Sequence, residues 1–123
     1  MDFFRTDVGK TLQQIPMAKI IWRERPSQFL EYYIDNARGE YGKSTALRWA
    51  EEIAAFEDRV RRFPTSYSPE RLLQSHDVLY RRCQIMNRRF KIIYRYDEPE
   101  DTVHVMDIWD TRMNPKALIR RIK

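Results

Sequence analysis

Apolar positions recur at helical spacing along the first half of the chain and alternate along the second. Ala18–Glu24 (AKIIWRE) is a short β-rich run holding Ile20, Ile21 and Trp22, and Pro26 closes it, so a first strand is predicted there. From Ser27, a candidate N-cap, the residues Phe29, Leu30, Tyr33, Ile34 and Ala37 fall on one face of a helix, and Gly39 stops the stripe. Ser44 offers a second N-cap. Leu47, Ala50, Ile53, Ala54, Phe56, Val60 and Phe63 form the next stripe, which Pro64 terminates. Two helices joined by the few residues around Gly42 predict an antiparallel helical hairpin.

Residues 64–77 (PTSYSPERLLQSHD) read as a loop with one helical turn at Glu70–Leu73. The period then falls to two, which predicts strands over Val78–Met86, Phe90–Tyr96 and Thr102–Trp109. Asn87–Arg89 and the acidic stretch DEPED (97–101) form the turns between them. Asn114 followed by Pro115 is an N-cap and first-turn pair, so a short helix is expected over Pro115–Ile122. The predicted order is β-α-α-β-β-β. It describes an α+β domain whose antiparallel twisted sheet packs against an N-terminal helical hairpin, with a short C-terminal helix at the end.

Alternation also assigns the faces. On the third strand Phe90, Ile92, Tyr94 and Tyr96 should point one way, and Lys91, Ile93 and Arg95 the other. On the fourth, Val103, Val105, Asp107 and Trp109 should oppose His104, Met106 and Ile108. One face is expected to pack on the helices while the other shows charge to solvent. Residues 1–16 carry no periodic pattern and are read as an N-terminal arm or upstream extension, with 17–123 a single domain.

Composition narrows the function classes. No apolar run is long enough to cross a membrane, and the N-terminus lacks the apolar core of a secretory signal. Cys83 is the sole cysteine, which excludes a disulfide framework and a cysteine-based metal cluster and fits a reducing cytoplasm. Neither a glycine-rich phosphate loop, a Ser-His-Asp set nor metal-ligand spacing is found, so no cofactor and no metal are expected. The net charge of +5 is unevenly placed: residues 1–77 balance, and the excess lies in the last third. Its centre is YRRCQIMNRRFKIIYRY (80–96), where Arg81, Arg82, Arg88, Arg89, Lys91 and Arg95 stand among apolar residues with no carboxylate. Such a segment implies an anionic partner, either nucleic acid or an acidic protein surface.

Four pieces of the chain together resemble one family. They are the opening strand with Trp22, the helical hairpin ending in RVRRFP (59–64), the hairpin RRFKIIYRY (88–96) and the strand exit IWDTRMNP (108–115). In this order and spacing they are similar to the RelE/ParE superfamily of bacterial type II toxin–antitoxin toxins, from about Lys19 to Pro115. The resemblance implies a growth-inhibiting toxin held inactive by a cognate antitoxin. It also implies one of two mechanisms. RelE-like members are metal-free endoribonucleases that cut mRNA on the ribosome, whereas ParE-like members poison DNA gyrase and are not enzymes of this kind.

Carried over residue by residue, the RelE-like reading makes Lys91 the basic residue of the third strand and Arg112 the one after the last strand, with Arg81 as a further catalytic cation. Cations there would stabilise the charge developing on the phosphate. Arg82, Arg88, Arg89 and Arg95 would contact nucleic acid or another target. The pattern departs after Arg112: the tail MNPKALIRRIK has no Tyr or His to serve as general acid, and His76 and His104 lie elsewhere. That departure and the long hairpin favour the ParE-like branch, with a non-toxic binding module on the same fold as a further alternative. Asp107 and Asp110 are expected to be ion-pair partners of arginines, and Cys83 a small buried strand residue.

Overall fold

The computed structural model describes residues 17–122; the expected arm over residues 1–16 lies outside them. β1 (Lys19–Trp22) leads into α1 (Glu24–Tyr41) and α2 (Lys43–Arg62), followed by a 3-10 turn at Arg71–Leu73. Then come β2 (Tyr80–Ile85), β3 (Phe90–Asp97), β4 (Thr102–Asp110) and α3 (Pro115–Arg121). This is the predicted order. β2, β3 and β4 form an antiparallel meander, and β1 joins the outer edge of β4 in parallel, giving the spatial order β1-β4-β3-β2. The intervening hairpin and meander together supply the long crossover that a parallel pair requires.

The helix boundaries differ from those expected. α1 begins at Glu24, with Pro26 in its first turn, where a missing N–H costs nothing. Ser27 is therefore inside the helix, its hydroxyl donating to the Trp22 carbonyl at 3.4 Å. Gly39 does not stop the helix either. Gly42 does, at φ +93°, and the same residue precedes α2 in place of Ser44. A glycine inside a helix costs only about 1 kcal/mol. By contrast, the left-handed backbone between two helices admits few other residues.

α1 and α2 cover one face of the sheet. Ile53, Phe56 and Val60 of α2 pack on Cys83, Ile85, Phe90, Ile92, Tyr94, Val103, Val105 and Ile108. Phe56 is the centre of an aromatic set, with Tyr94 at 5.7 Å, Tyr67 at 5.9 Å and Trp22 at 6.0 Å between ring centroids.

Strict alternation fails on β4. Ile93 pairs with Asp107 but Tyr94 pairs with Val105, so β4 carries one extra residue at a bulge. Ile108 thereby joins Val103 and Val105 in the core beneath the helices, while Trp109 turns to the opposite face. The second face is consequently not an open charged surface. Ile93, Trp109 and Tyr80 form a smaller core there with Leu73 of the 3-10 turn and Leu118 and Ile122 from the C-terminal segment. Asn114 caps α3 as expected, its side chain accepting from the Lys116 amide at 3.0 Å.

Candidate functional site

Of the residues that carried the sequence argument, Lys91, Arg82 and Arg95 lie on this second face, and the seven do not converge. Lys91 of β3 stands opposite Gln84 and Trp109, on the floor of a cleft of about 470 Å³ that Glu70, Arg82 and Thr111 also line. Its ammonium is bound to Glu70 at 2.9 Å. Glu70 is buried, and its other carboxylate oxygen accepts from the Leu72 amide at 2.9 Å, so the 3-10 turn itself is built around this carboxylate. A buried ion pair is retained when both partners are satisfied in this manner. Lys91 is thus already matched by a carboxylate.

Arg112 follows β4 on the exposed side and folds back on Asp110, with Nε and Nη2 each 3.2 Å from a carboxylate oxygen. The Arg112 side chain holds the Asp110 carboxyl below the usual range, and Asp110 in turn raises the guanidinium. Arg81 pairs with Tyr94 on the helix-covered face, the side opposite Lys91, and donates to the Tyr67 carbonyl at 2.7 Å. Burial pushes the hydroxyls of Tyr67 and Tyr94 upward, Tyr94 to about 12, so both stay neutral at physiological pH. Burial raises the Cys83 thiol as well.

The four residues assigned to target contact are spread along the sheet. Arg82 shares the cleft with Lys91 and donates to the Pro69 carbonyl. Arg88 and Arg89 sit on the β2–β3 turn. Arg95 lies at the other end, directly across from His104 of β4. The Nδ1 of His104 is 3.3 Å from an Arg23 nitrogen. Burial, then Arg95, then Arg23 push the His104 imidazole below its ordinary value, with Asp97 opposing.

Two partners lay beyond the reach of sequence reasoning. Glu70 falls in a proline- and serine-rich loop with no pattern to mark it as a buried carboxylate. Arg121 of α3 reaches Asp107 at 2.6 Å and lies 5.2 Å from the centre of the Trp109 ring. Asp107 does pair with an arginine, as expected, though from the C-terminal helix rather than the basic hairpin. Burial nonetheless keeps its carboxyl above the usual range.

A sequence model of the ParE toxin of type II toxin–antitoxin systems matches residues 20–115. The chain belongs to the ParE toxin family. Among solved structures it is similar to a chain of the chromosomal ParDE toxin–antitoxin system from P. aeruginosa. The TM-score is 0.57 at 13% identity, covering 76% of this chain and 96% of that one. No curated protein matches. In this ParE-family chain, then, the strand-exit segment matched by the family ends beside the Asp110–Arg112 pair, and the cleft on the second face is closed at its floor by Glu70. Among the described residues no group of three metal-ligating side chains is gathered, and no helix is long and apolar enough to cross a membrane.

Proposed function

We propose that this chain is a growth-inhibiting toxin that acts in the cytoplasm by binding DNA gyrase, cuts no RNA, and is neutralised by a cognate antitoxin. The observation that supports this reading is the Glu70–Lys91 pair. A metal-free ribonuclease needs unmatched cations where charge develops on the phosphate. Here Lys91 is neutralised by a buried carboxylate at 2.9 Å, Arg112 by Asp110 at 3.2 Å, and Arg81 lies on the other face. A protein-binding activity has no such requirement. Arg82, Arg88, Arg89 and Arg95 are the residues we assign to target contact.

The purified chain is tested in two parallel assays, DNA supercoiling by gyrase and mRNA cleavage on ribosomes. Supercoiling is expected to be inhibited, with full potency retained in Arg112→Ala and in the paired change Glu70→Gln with Lys91→Met. Cleavage of mRNA, reduced ~100-fold or more by the same variants, would establish the RelE-like mechanism with Lys91, Arg112 and Arg81 as its cations. Loss of neither activity to an added antitoxin would remove the antitoxin from the proposal.

A further inference from the structure

At the tip of the β2–β3 hairpin the backbone is held in an uncommon shape. Met86, Asn87 and Arg88 have successive φ values of +55°, +58° and +66°, and none is glycine. Such a turn persists only where its surroundings over-determine it. Glu52 of α2 accepts from the Met86 amide at 3.0 Å, and the Thr111 hydroxyl donates to the carbonyls of Arg88 and Arg89. The turn is therefore anchored from both sides, and Arg88 is exposed at its tip.

Arg89 points from this anchored turn toward α1. Its guanidinium lies 5.2 Å from the centre of the Phe90 ring, and its Nε is buried with no hydrogen-bond partner among the described residues. It closes a cleft of about 190 Å³ whose other walls include Tyr32, Tyr33, Asn36, Glu40 and Tyr41. Tyr32 and Tyr41 are 62% and 52% exposed, large for tyrosines, and Tyr41 is braced by Trp49 at 5.4 Å. Among the described residues, Glu40 shares the cleft with Arg89 and the Asp110 carboxyl feels its charge. Neither comes within ion-pair distance of it, and Asp110 is taken by Arg112.

We propose that this cleft is a docking site for an acidic segment of a protein partner, in which one carboxylate engages Arg89 and a neighbouring apolar side chain lies on Tyr32 and Tyr41. The Arg89 Nε lacks an acceptor among the described residues, and a carboxylate matches the fork geometry of a guanidinium. Exposed Tyr and Arg held rigidly are the residue types that dominate protein interfaces, because little freedom is lost when they bind. The cleft lies below the roughly 300–1,000 Å³ of small-molecule sites, a size for one side chain. Glu40 in its wall disfavours a continuous phosphate backbone. The inference does not rest on gyrase being the target.

Three labelled probes are titrated into the full chain by fluorescence anisotropy: a peptide with two Glu–Phe pairs spaced by Gly–Ser, the same peptide with Gln for Glu, and a single-stranded 12-nucleotide oligonucleotide. The Glu peptide is expected to bind about tenfold more tightly than the Gln peptide, the worth of one charge-assisted bond. Arg89→Gln should erase that difference, Tyr32→Ser should weaken both peptides, and Glu40→Gln should strengthen the Glu peptide. In the unaltered chain the Arg89 Nε–Hε resonance should shift with the Glu peptide, which tests the contact without relying on a variant that folds. Equal binding of the two peptides, a silent Arg89 resonance, or an oligonucleotide that outcompetes the Glu peptide would each overturn the proposal. Occupation of the cleft by a second copy of the chain, seen as self-association lost in Arg89→Gln, would also overturn it.

Discussion

The two faces of the sheet are built on different physics. Beneath α1 and α2 the contacts are apolar and aromatic, from Phe56, Tyr94, Val60 and Ile92, and the buried Tyr94 hydroxyl donates to the Pro64 carbonyl. On the other face a smaller apolar core around Trp109 is flanked by two ion pairs, Glu70–Lys91 and Asp107–Arg121, each with one carboxylate almost fully buried. Apolar packing is non-directional and depends on volume, so the first face tolerates no loss of bulk. Ion pairs depend on the match of two partners, so the second face tolerates loss of both better than loss of one.

The largest effect should therefore come from the first face. Phe56→Ala removes a ring that touches Trp22, Tyr67 and Tyr94 and leaves a void that rigid aromatic neighbours cannot fill. Urea unfolding should show a loss of about 3–5 kcal/mol. No single second-site change should restore it. A loss below about 1 kcal/mol would mean that the helical hairpin contributes little to the fold.

Glu70→Ala comes next. It strands the Lys91 ammonium in a site where the side chain is 16% exposed and removes the acceptor of the Leu72 amide. The expected loss is about 3 kcal/mol. The comparison is sharpened by adding Lys91→Met, which removes the stranded charge and should recover more than half of that loss. Failure to recover would mean that the carboxylate matters through the 3-10 turn rather than through the ion pair.

Much of the first face was legible in the sequence and much of the second was not. Helical spacing from Phe29 to Ala37 and from Leu47 to Val60 is a local signal, and it identified both helices and the side they cover. The alternation of Phe90, Ile92 and Tyr94 did the same for β3. The bulge opposite Ile93 and Tyr94 leaves no local trace, since the residues of β4 alternate smoothly through it, so Asp107, Ile108 and Trp109 could only be assigned to the wrong faces. The setting of the candidate site was hidden for a related reason. Lys91 and Arg112 were visible as cations, but what they do is decided by Glu70 and Asp110, and Glu70 meets Lys91 only through tertiary contact. Gly39 and Gly42 make the same point on a small scale: composition marks both as stops, and only the φ of +93° at Gly42 distinguishes them.

The smallest effect should appear at the open end of the second face, where, among the described residues, charges are neither buried deeply nor in ion pairs. His104 faces Arg23 at 3.3 Å and Arg95 across the strand pair, with Asp97 the opposing carboxylate. Its pKa in the folded chain is depressed, burial being the first cause and the two arginines the next. Depression means that the native state resists taking up the proton. The associated stability is present in full above the unfolded value of about 6.5 and is lost as pH falls through the folded value. Asp110, also depressed, loses its contribution only in the lower range where carboxylates titrate, and Asp107, raised by burial, changes in the opposite sense there. Mildly acidic pH thus separates the histidine from both. Thermal melts of the unaltered chain should decline as pH is lowered below about 6.5, and His104→Gln should flatten that first decline while leaving the steeper fall at lower pH. An identical decline in the variant would assign it to another group and leave the basic end of the face without an energetic cost to its crowding.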